Sequence, residues 1–119
     1  MPYQMLMCED GIVKISFDGG LERDELDQFV DDVTRYLESA TPEAPLRTLA
    51  IADQTGMKFS PAVRKAFTNL NADPRLGKCA TVGVDRYMRV LVGFILKATR
   101  RDNIRFFDSE ELALVWLQS

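Results

Sequence analysis

Short apolar segments alternate with longer segments of helical periodicity along most of the chain, and this alternation is the strongest constraint on the fold. Tyr3–Cys8 and Ile12–Phe17 predict two strands, and Glu9-Asp10-Gly11 between them is typical of a hairpin turn. From residue 21 onward, apolar residues recur at helical spacing in four segments separated by shorter strand-like runs. These predict strands over 46–53, 78–84 and 104–107, and helices over 21–39, 60–71, 86–99 and from about 109 to the end of the chain.

The resulting order ββαβαβαβα predicts an α/β fold. Because each strand after the hairpin is followed by a helix long enough to cross over the sheet, most of the sheet should be parallel, with right-handed crossovers. We therefore expect a mostly parallel sheet of about five strands in sequential order, an N-terminal antiparallel hairpin, and helices mainly on one face. A single domain is expected over residues 1–119.

The alternation within the strands predicts two unlike sheet faces. One face should be bulky, and we expect it to carry Val13, Ile15, Phe17, Leu49, Ile51, Val82 and Val84. The other should be small or polar and thinly covered, and we expect it to carry Lys14, Ser16, Ala50, Ala52, Thr81 and Gly83.

Composition narrows the classes of function. The chain has no histidine, which removes the commonest general base and most zinc sites. Its two cysteines, Cys8 and Cys79, are expected to be buried free thiols, and no metal or cofactor is predicted. The most apolar stretch, 87–98, is short and contains Arg89 and Lys97, so we expect a cytoplasmic protein that does not span a membrane.

The net charge of −3 conceals an uneven distribution. Residues 1–43 hold 11 acidic and 3 basic residues, whereas residues 44–107 hold 4 acidic and 12 basic residues. Such a separation can orient a charged partner or a second copy of the chain, although a plain solvated surface explains it equally well. The positive charge is spread over several elements without a nucleic-acid-binding motif, so no nucleic-acid partner is expected.

Three stretches of the chain carry a resemblance to a known family: FDGGLERDELDQF, LAIADQTGMKFSP and RFFDSEELALVWL. They resemble the STAS domain family, the SpoIIAA-like antagonists of anti-sigma factors, whose fold is related to the CRAL-TRIO lipid-transfer fold. The resemblance covers nearly the whole order of elements. It implies a non-enzymatic regulatory or protein-interaction module with a protein partner, such as a kinase or an anti-sigma-like regulator.

The same resemblance implies a phosphorylation site at Ser60, where the second helix begins. Residues that would meet the partner lie in or beside the preceding loop: Asp53, Thr55, Gly56, Lys58 and Arg64. Ser60 also has a purely structural explanation, because serine is a favoured N-cap and proline a favoured first helical residue. Asp53 likewise either meets a ligand at the end of its strand or accepts hydrogen bonds from loop amides.

The helix over 86–99 is apolar around most of its circumference, more than packing on one sheet face requires. The excess predicts either burial within the domain or an interface, including a homodimer, formed by Tyr87, Met88, Leu91, Val92, Ile95 and Leu96. A small apolar or lipid-like ligand beside this helix is an alternative function. An enzyme is a second alternative, for which the sequence offers no catalytic residue set.

Overall fold

The structure is a computed structural model that describes residues 3–8, 10–17, 23–52, 61–83 and 86–119, apart from the side chains of residues 23, 52 and 86–88. Its elements, in chain order, are β1 (Tyr3–Met7), β2 (Ile12–Phe17), α1 (Arg23–Leu37), β3 (Leu46–Ala52), α2 (Pro61–Asn71), β4 (Leu76–Val82), α3 (Arg86–Thr99), β5 (Ile104–Phe107) and α4 (Glu110–Gln118).

These elements form one five-stranded sheet with the strands in sequential order, β1-β2-β3-β4-β5. The β1–β2 pair is antiparallel and the other three pairs are parallel. The predicted α/β fold, its order of elements and its N-terminal hairpin are therefore confirmed.

Three of the helices cover one face of the sheet and α4 covers the other. The larger core joins Val13, Ile15 and Phe17 of β2 to α1, α2 and α3. A smaller core, made by Ile12, Leu49, Ala80, Ala113 and Leu117, joins the opposite sheet face to α4. The prediction that the helices lie mainly on one face is confirmed, and the second face is covered over β3, β4 and β5.

The predicted assignment of strand residues to the two faces is wrong for β3 and β4. Val13 lies beside Thr48 and Ile15 beside Ala50, whereas Leu49 lies beside Lys14. Because neighbours at the same register in a sheet point to the same side, Leu49 and Ile51 of β3 face α4, and Thr48 and Ala50 face the three-helix layer. The same holds in β4, where Cys79 pairs with Thr48 and Thr81 with Ala50.

Aromatic rings fill the part of the three-helix core that lies over β1 and β2. Phe29 of α1 stacks edge-on against Tyr3 at 5.3 Å between ring centroids, and it also contacts Phe17 and Phe67 at 5.5 and 5.6 Å. Such pairs add stability beyond the apolar area they bury. The Tyr3 hydroxyl donates a hydrogen bond of 2.6 Å to Asp32 of α1, which fixes the edge strand to the helix.

Helix α4 is capped at both ends by polar contacts. At its start, the Ser109 side chain accepts a hydrogen bond from the Leu112 amide. Ser109 is therefore the N-cap, and Glu111 does not complete a capping box with it, because the third helical residue is Leu112. At its end, Lys78 donates to the Trp116 and Ser119 carbonyl oxygens, at 3.2 and 3.0 Å.

Candidate functional site

An apolar cavity of about 130 Å³ lies between the sheet and the three-helix layer. Its sheet side is formed by small residues of β3 and β4 together with larger ones at its margins: Thr48, Ala50, Cys79 and Thr81, and Ile15, Phe17, Leu76 and Ile104. Residues on the three helices close the opposite side, and those described are Phe29, Val33, Phe67, Leu70, Asn71, Leu91, Val92 and Ile95. The cavity exists because β3 and β4 present small side chains where β2 presents bulky ones.

The polar groups around the cavity are held in contacts of their own. Asn71 donates through Nδ2 to the Thr99 hydroxyl at 3.1 Å and accepts at Oδ1 from Asn103 Nδ2 at 2.8 Å. Burial raises the pKa of the Cys79 thiol to about 11, against a weaker opposing effect of its hydrogen bond with Thr48. At neutral pH the wall therefore carries a protonated thiol, and it suits an apolar group.

The outward side of the same helices forms a second candidate surface. Phe94 of α3 is 51% exposed, and the Arg64 guanidinium carbon lies 4.9 Å from the centre of its ring. Val90, one helical turn before Phe94, is 71% exposed. A cation–π contact at an exposed site contributes about 0.5–1 kcal/mol, so Arg64 joins α2 to α3 across this surface.

The charge predicted from the sequence is visible on the helices. The exposed side of α1 carries Asp24, Asp27 and Asp31 with one basic residue, Arg35, whereas exposed Arg64 and Lys65 lie on α2 and exposed Arg89 and Lys97 on α3. Arg89 lies over the Phe106 ring at 5.1 Å, so basic groups flank the exposed apolar residues of α3 on both sides.

The structure describes only some of the predicted site residues. Ser60, Asp53, Thr55, Gly56 and Lys58 lie outside the described residues, and so do the side chains of Tyr87 and Met88. Arg64 is described and lies on the outward surface of α2.

Three of the predicted interface residues, Leu91, Val92 and Ile95, are buried within the domain and line the cavity, and Leu96 is half-buried. Because buried side chains present no surface to a partner, the large apolar contact residues among the described side chains of α3 are Val90 and Phe94. Val90 and Phe94 are four residues apart and lie next to Arg89 and Lys97 on the helix surface. This spacing beside charged residues is the sequence pattern that indicates their exposure.

The SpoIIAA-like family model matches residues 12–118 of the chain. The chain belongs to the SpoIIAA-like family. A SpoIIAA-like domain fits a regulatory or protein-interaction module of the STAS type, which agrees with the resemblance seen in the sequence. Neither the curated proteins nor the solved structures include a significant match to this chain.

Two features are absent from the described residues, a membrane-spanning helix and a metal-binding cluster. No described helix has the length and apolar character needed to cross a membrane. Within the same residues, no group of three or more cysteine, aspartate or glutamate side chains is placed to hold a metal ion.

Proposed function

We propose that this SpoIIAA-like domain is a non-enzymatic regulatory module that binds a protein partner through the outward side of α2 and α3 together with the loop over 53–60. The observation that carries the proposal is the half-exposed Phe94 ring beneath the Arg64 guanidinium. Aromatic residues and arginine are enriched at the energetic centres of protein interfaces. The partner expected from the charge of this surface is an acidic protein, such as a kinase or an anti-sigma-like regulator.

The proposed switch is phosphorylation of Ser60. Helix α2 begins at Pro61 and has no acidic residue in its first turn, and Arg64 is exposed there. A phosphate on the residue before the helix would add nearly two negative charges close to the positive end of the helix dipole. Mass spectrometry of the protein from its native cell should find Ser60 phosphorylated under some growth conditions. If Ser60 were unmodified under all growth conditions, the proposed switch would be wrong, and the domain would bind its partner without regulation at this site.

Affinity capture tests the contact surface directly. The wild-type protein, Arg64→Glu, Phe94→Ser and Met7→Ser would be compared as baits in native lysate, with bound proteins quantified. Met7 is a suitable control because it is a partly exposed apolar residue of the edge strand, remote from α3 in the sequence. We expect one acidic protein to be lost from both surface variants and retained by Met7→Ser. Equal capture by all four baits would disprove this surface.

A second candidate function is binding of a small apolar or lipid-like molecule, and the cavity is the observation that favours it. An apolar cavity of about 150 Å³ in another protein binds benzene, so a cavity of about 130 Å³ suits a ring or a short alkyl segment. Native mass spectrometry of the purified protein should then show an added mass that delipidation removes. A delipidated sample that gains neither mass nor thermal stability from lipid extracts or benzene would exclude this function.

A further inference from the structure

Two helices on opposite sides of the sheet expose apolar side chains to solvent. Among the described residues, four of the six large hydrophobic side chains that are exposed lie on them. The α3 stripe is Val90 and Phe94, which are 71% and 51% exposed. The α4 stripe is Leu112 and Val115, which are 56% and 67% exposed. Side chains three or four residues apart share one side of a helix, so each stripe is continuous.

The two stripes point away from each other. Leu91 and Ile95 of α3 pack into the core on one face of the sheet, and Ala113 and Leu117 of α4 pack into the core on the other. Each stripe lies on the side of its helix that these buried residues leave free. The two stripes therefore cannot meet within one molecule.

The charges beside the two stripes are opposite in sign where α4 begins. Exposed Arg64, Arg89 and Lys97 surround the α3 stripe. Exposed Asp108 and Glu111 lie beside the α4 stripe, whose helix has acidic residues in its first turn and no basic residue in its last. On the other side of the α4 stripe, exposed Arg105 lies 5.2 Å from the centre of the Trp116 ring, so the charge match with the basic α3 stripe is confined to the acidic first turn of α4.

We propose that the α4 stripe of one molecule docks on the α3 stripe of a second copy. An antiparallel arrangement of the two helices is favoured, because it brings Lys97, in the last turn of α3, next to the acidic first turn of α4. It also sets the dipoles of the two helices in opposite directions. Phe94 and Val90 then lie against Leu112 and Val115.

The assembly that follows is head-to-tail. Because each molecule presents one stripe on each side of its sheet, every docking leaves a free α3 stripe at one end and a free α4 stripe at the other. Contacts between two different patches generate open chains of molecules unless the rotation closes a ring, whereas a two-fold dimer uses one patch twice. The structure therefore favours short linear oligomers over the homodimer expected from the sequence.

One helix-to-helix contact is small compared with the interfaces of obligate oligomers, so association should be weak and dependent on concentration. Its charged rim should also make it sensitive to ionic strength, since exposed charges are screened by salt. Sedimentation velocity over about a hundredfold range of protein concentration should show a rising average mass, which added salt lowers.

Two blocked variants test the head-to-tail geometry. Val90→Gln/Phe94→Gln closes the α3 end, and Leu112→Gln/Val115→Gln closes the α4 end; the replacements are uncharged, so the two closed stripes do not attract each other in a mixture. Each alone should remain monomeric, because one of the two docking partners is always blocked. A one-to-one mixture should form a dimer and nothing larger, since only the intact α4 stripe of the first and the intact α3 stripe of the second can meet. Met7→Glu serves as the control and should assemble like the wild type.

Several results would overturn the proposal. They are a wild-type protein that stays monomeric throughout, a mixture of blocked variants that stays monomeric, or a single blocked variant that still dimerises. A fourth is a blocked variant that is folded like the wild type, as judged by circular dichroism and melting, and that still assembles to the same extent as the wild type.

A charge exchange gives an independent check. Lys97→Glu and Glu111→Lys should each weaken assembly about tenfold, and the double variant should recover it, because the two charges have traded places. Failure of the double variant to recover would contradict the antiparallel arrangement.

The inference uses the same exposed α3 surface as the proposed function and rests on that surface being accessible. The two fail in different ways. Loss of an acidic partner from Phe94→Ser in a protein that never self-associates would support the proposed function and overturn head-to-tail assembly. Self-association of a protein that captures no partner would support head-to-tail assembly and overturn the proposed function.

Discussion

Gly93 lies in the middle of α3, and a β-carbon added there would have no atom within 4 Å. Glycine in a helix interior costs about 0.5–1 kcal/mol relative to alanine, because the unfolded chain has more conformational freedom to lose. Gly93→Ala should therefore raise the free energy of unfolding by that amount. Urea unfolding at a protein concentration low enough to keep the chain monomeric would measure it.

Gly77 provides the opposite case. A β-carbon there would lie 2.9 Å from two atoms of the Pro45 ring and 3.2 Å from the Leu46 carbonyl oxygen. Since a proline ring cannot rotate away, Gly77→Ala must shift the backbone of β3 or β4, and we expect a loss of about 1–3 kcal/mol of unfolding free energy. If both substitutions moved stability in the same direction, space around the residue would not be the deciding factor.

Cys79 should respond to pH in a way that reports its burial. Burial raises its pKa in the folded protein from the usual 9.0 to about 11, so folding favours the protonated thiol. That contribution to stability is complete below pH 9.0 and falls as the pH rises from 9.0 towards about 11. Over this range the unfolding free energy of the wild type should decrease more than that of Cys79→Ala. Parallel decreases would show that the thiol titrates normally.

Arg101 holds the end of α2 against the start of β4. Its guanidinium donates to the Asn71, Asp73 and Leu76 carbonyl oxygens, at 2.8, 3.1 and 2.7 Å. Arg101→Met keeps most of the aliphatic stem but leaves these carbonyl groups without their charged donor. We expect thermal and urea unfolding to show a loss of roughly 1.5–3 kcal/mol.

Arg101→Lys is the matched comparison. Lysine keeps the charge but lacks the planar fork that reaches separate acceptors, so it should recover only part of the stability. Full recovery would mean that charge near the helix end, and not the forked geometry, stabilises this junction.

At the level of elements, the bounds of a helix or strand could be predicted where the sequence has clear local start and stop signals. Ile12–Phe17, Arg86–Thr99 and Ile104–Phe107 have the predicted bounds. Strand β4 begins two residues earlier than predicted, at Leu76, because Leu76 pairs with Leu46 in the neighbouring strand. That pairing is tertiary, and the Pro74-Arg75-Leu76-Gly77 stretch gives no local sign of it.

At the level of the whole molecule, the order of the strands could be predicted but their register could not. The alternation within β3 shows that Leu49 and Ala50 face opposite sides, but it does not say which of them shares a side with Ile15. A shift of one residue exchanges the two faces, and only packing against the helices decides between them. The cavity follows from that choice, so its wall at Ala50 could not be predicted from the local pattern of residues.

The cavity itself can be tested by filling it. Ala50→Val adds two methyl groups at the cavity wall, in a central strand where β-branched residues fit well. If these groups enter the empty space, burial of each contributes about 0.8 kcal/mol, and the unfolding free energy should rise by about 1–2 kcal/mol. Thermal stabilisation by benzene should fall in the same variant, because the site is then occupied.

Ala62→Val, at an exposed position of α2, is the control and should give no gain in stability and no change in the benzene response. A destabilised Ala50→Val protein would mean that the wall cannot accept added volume. An unchanged benzene response in a stabilised one would place the ligand elsewhere. Only the combination of higher stability and a weaker benzene response identifies the space between the sheet and the three-helix layer as the binding site.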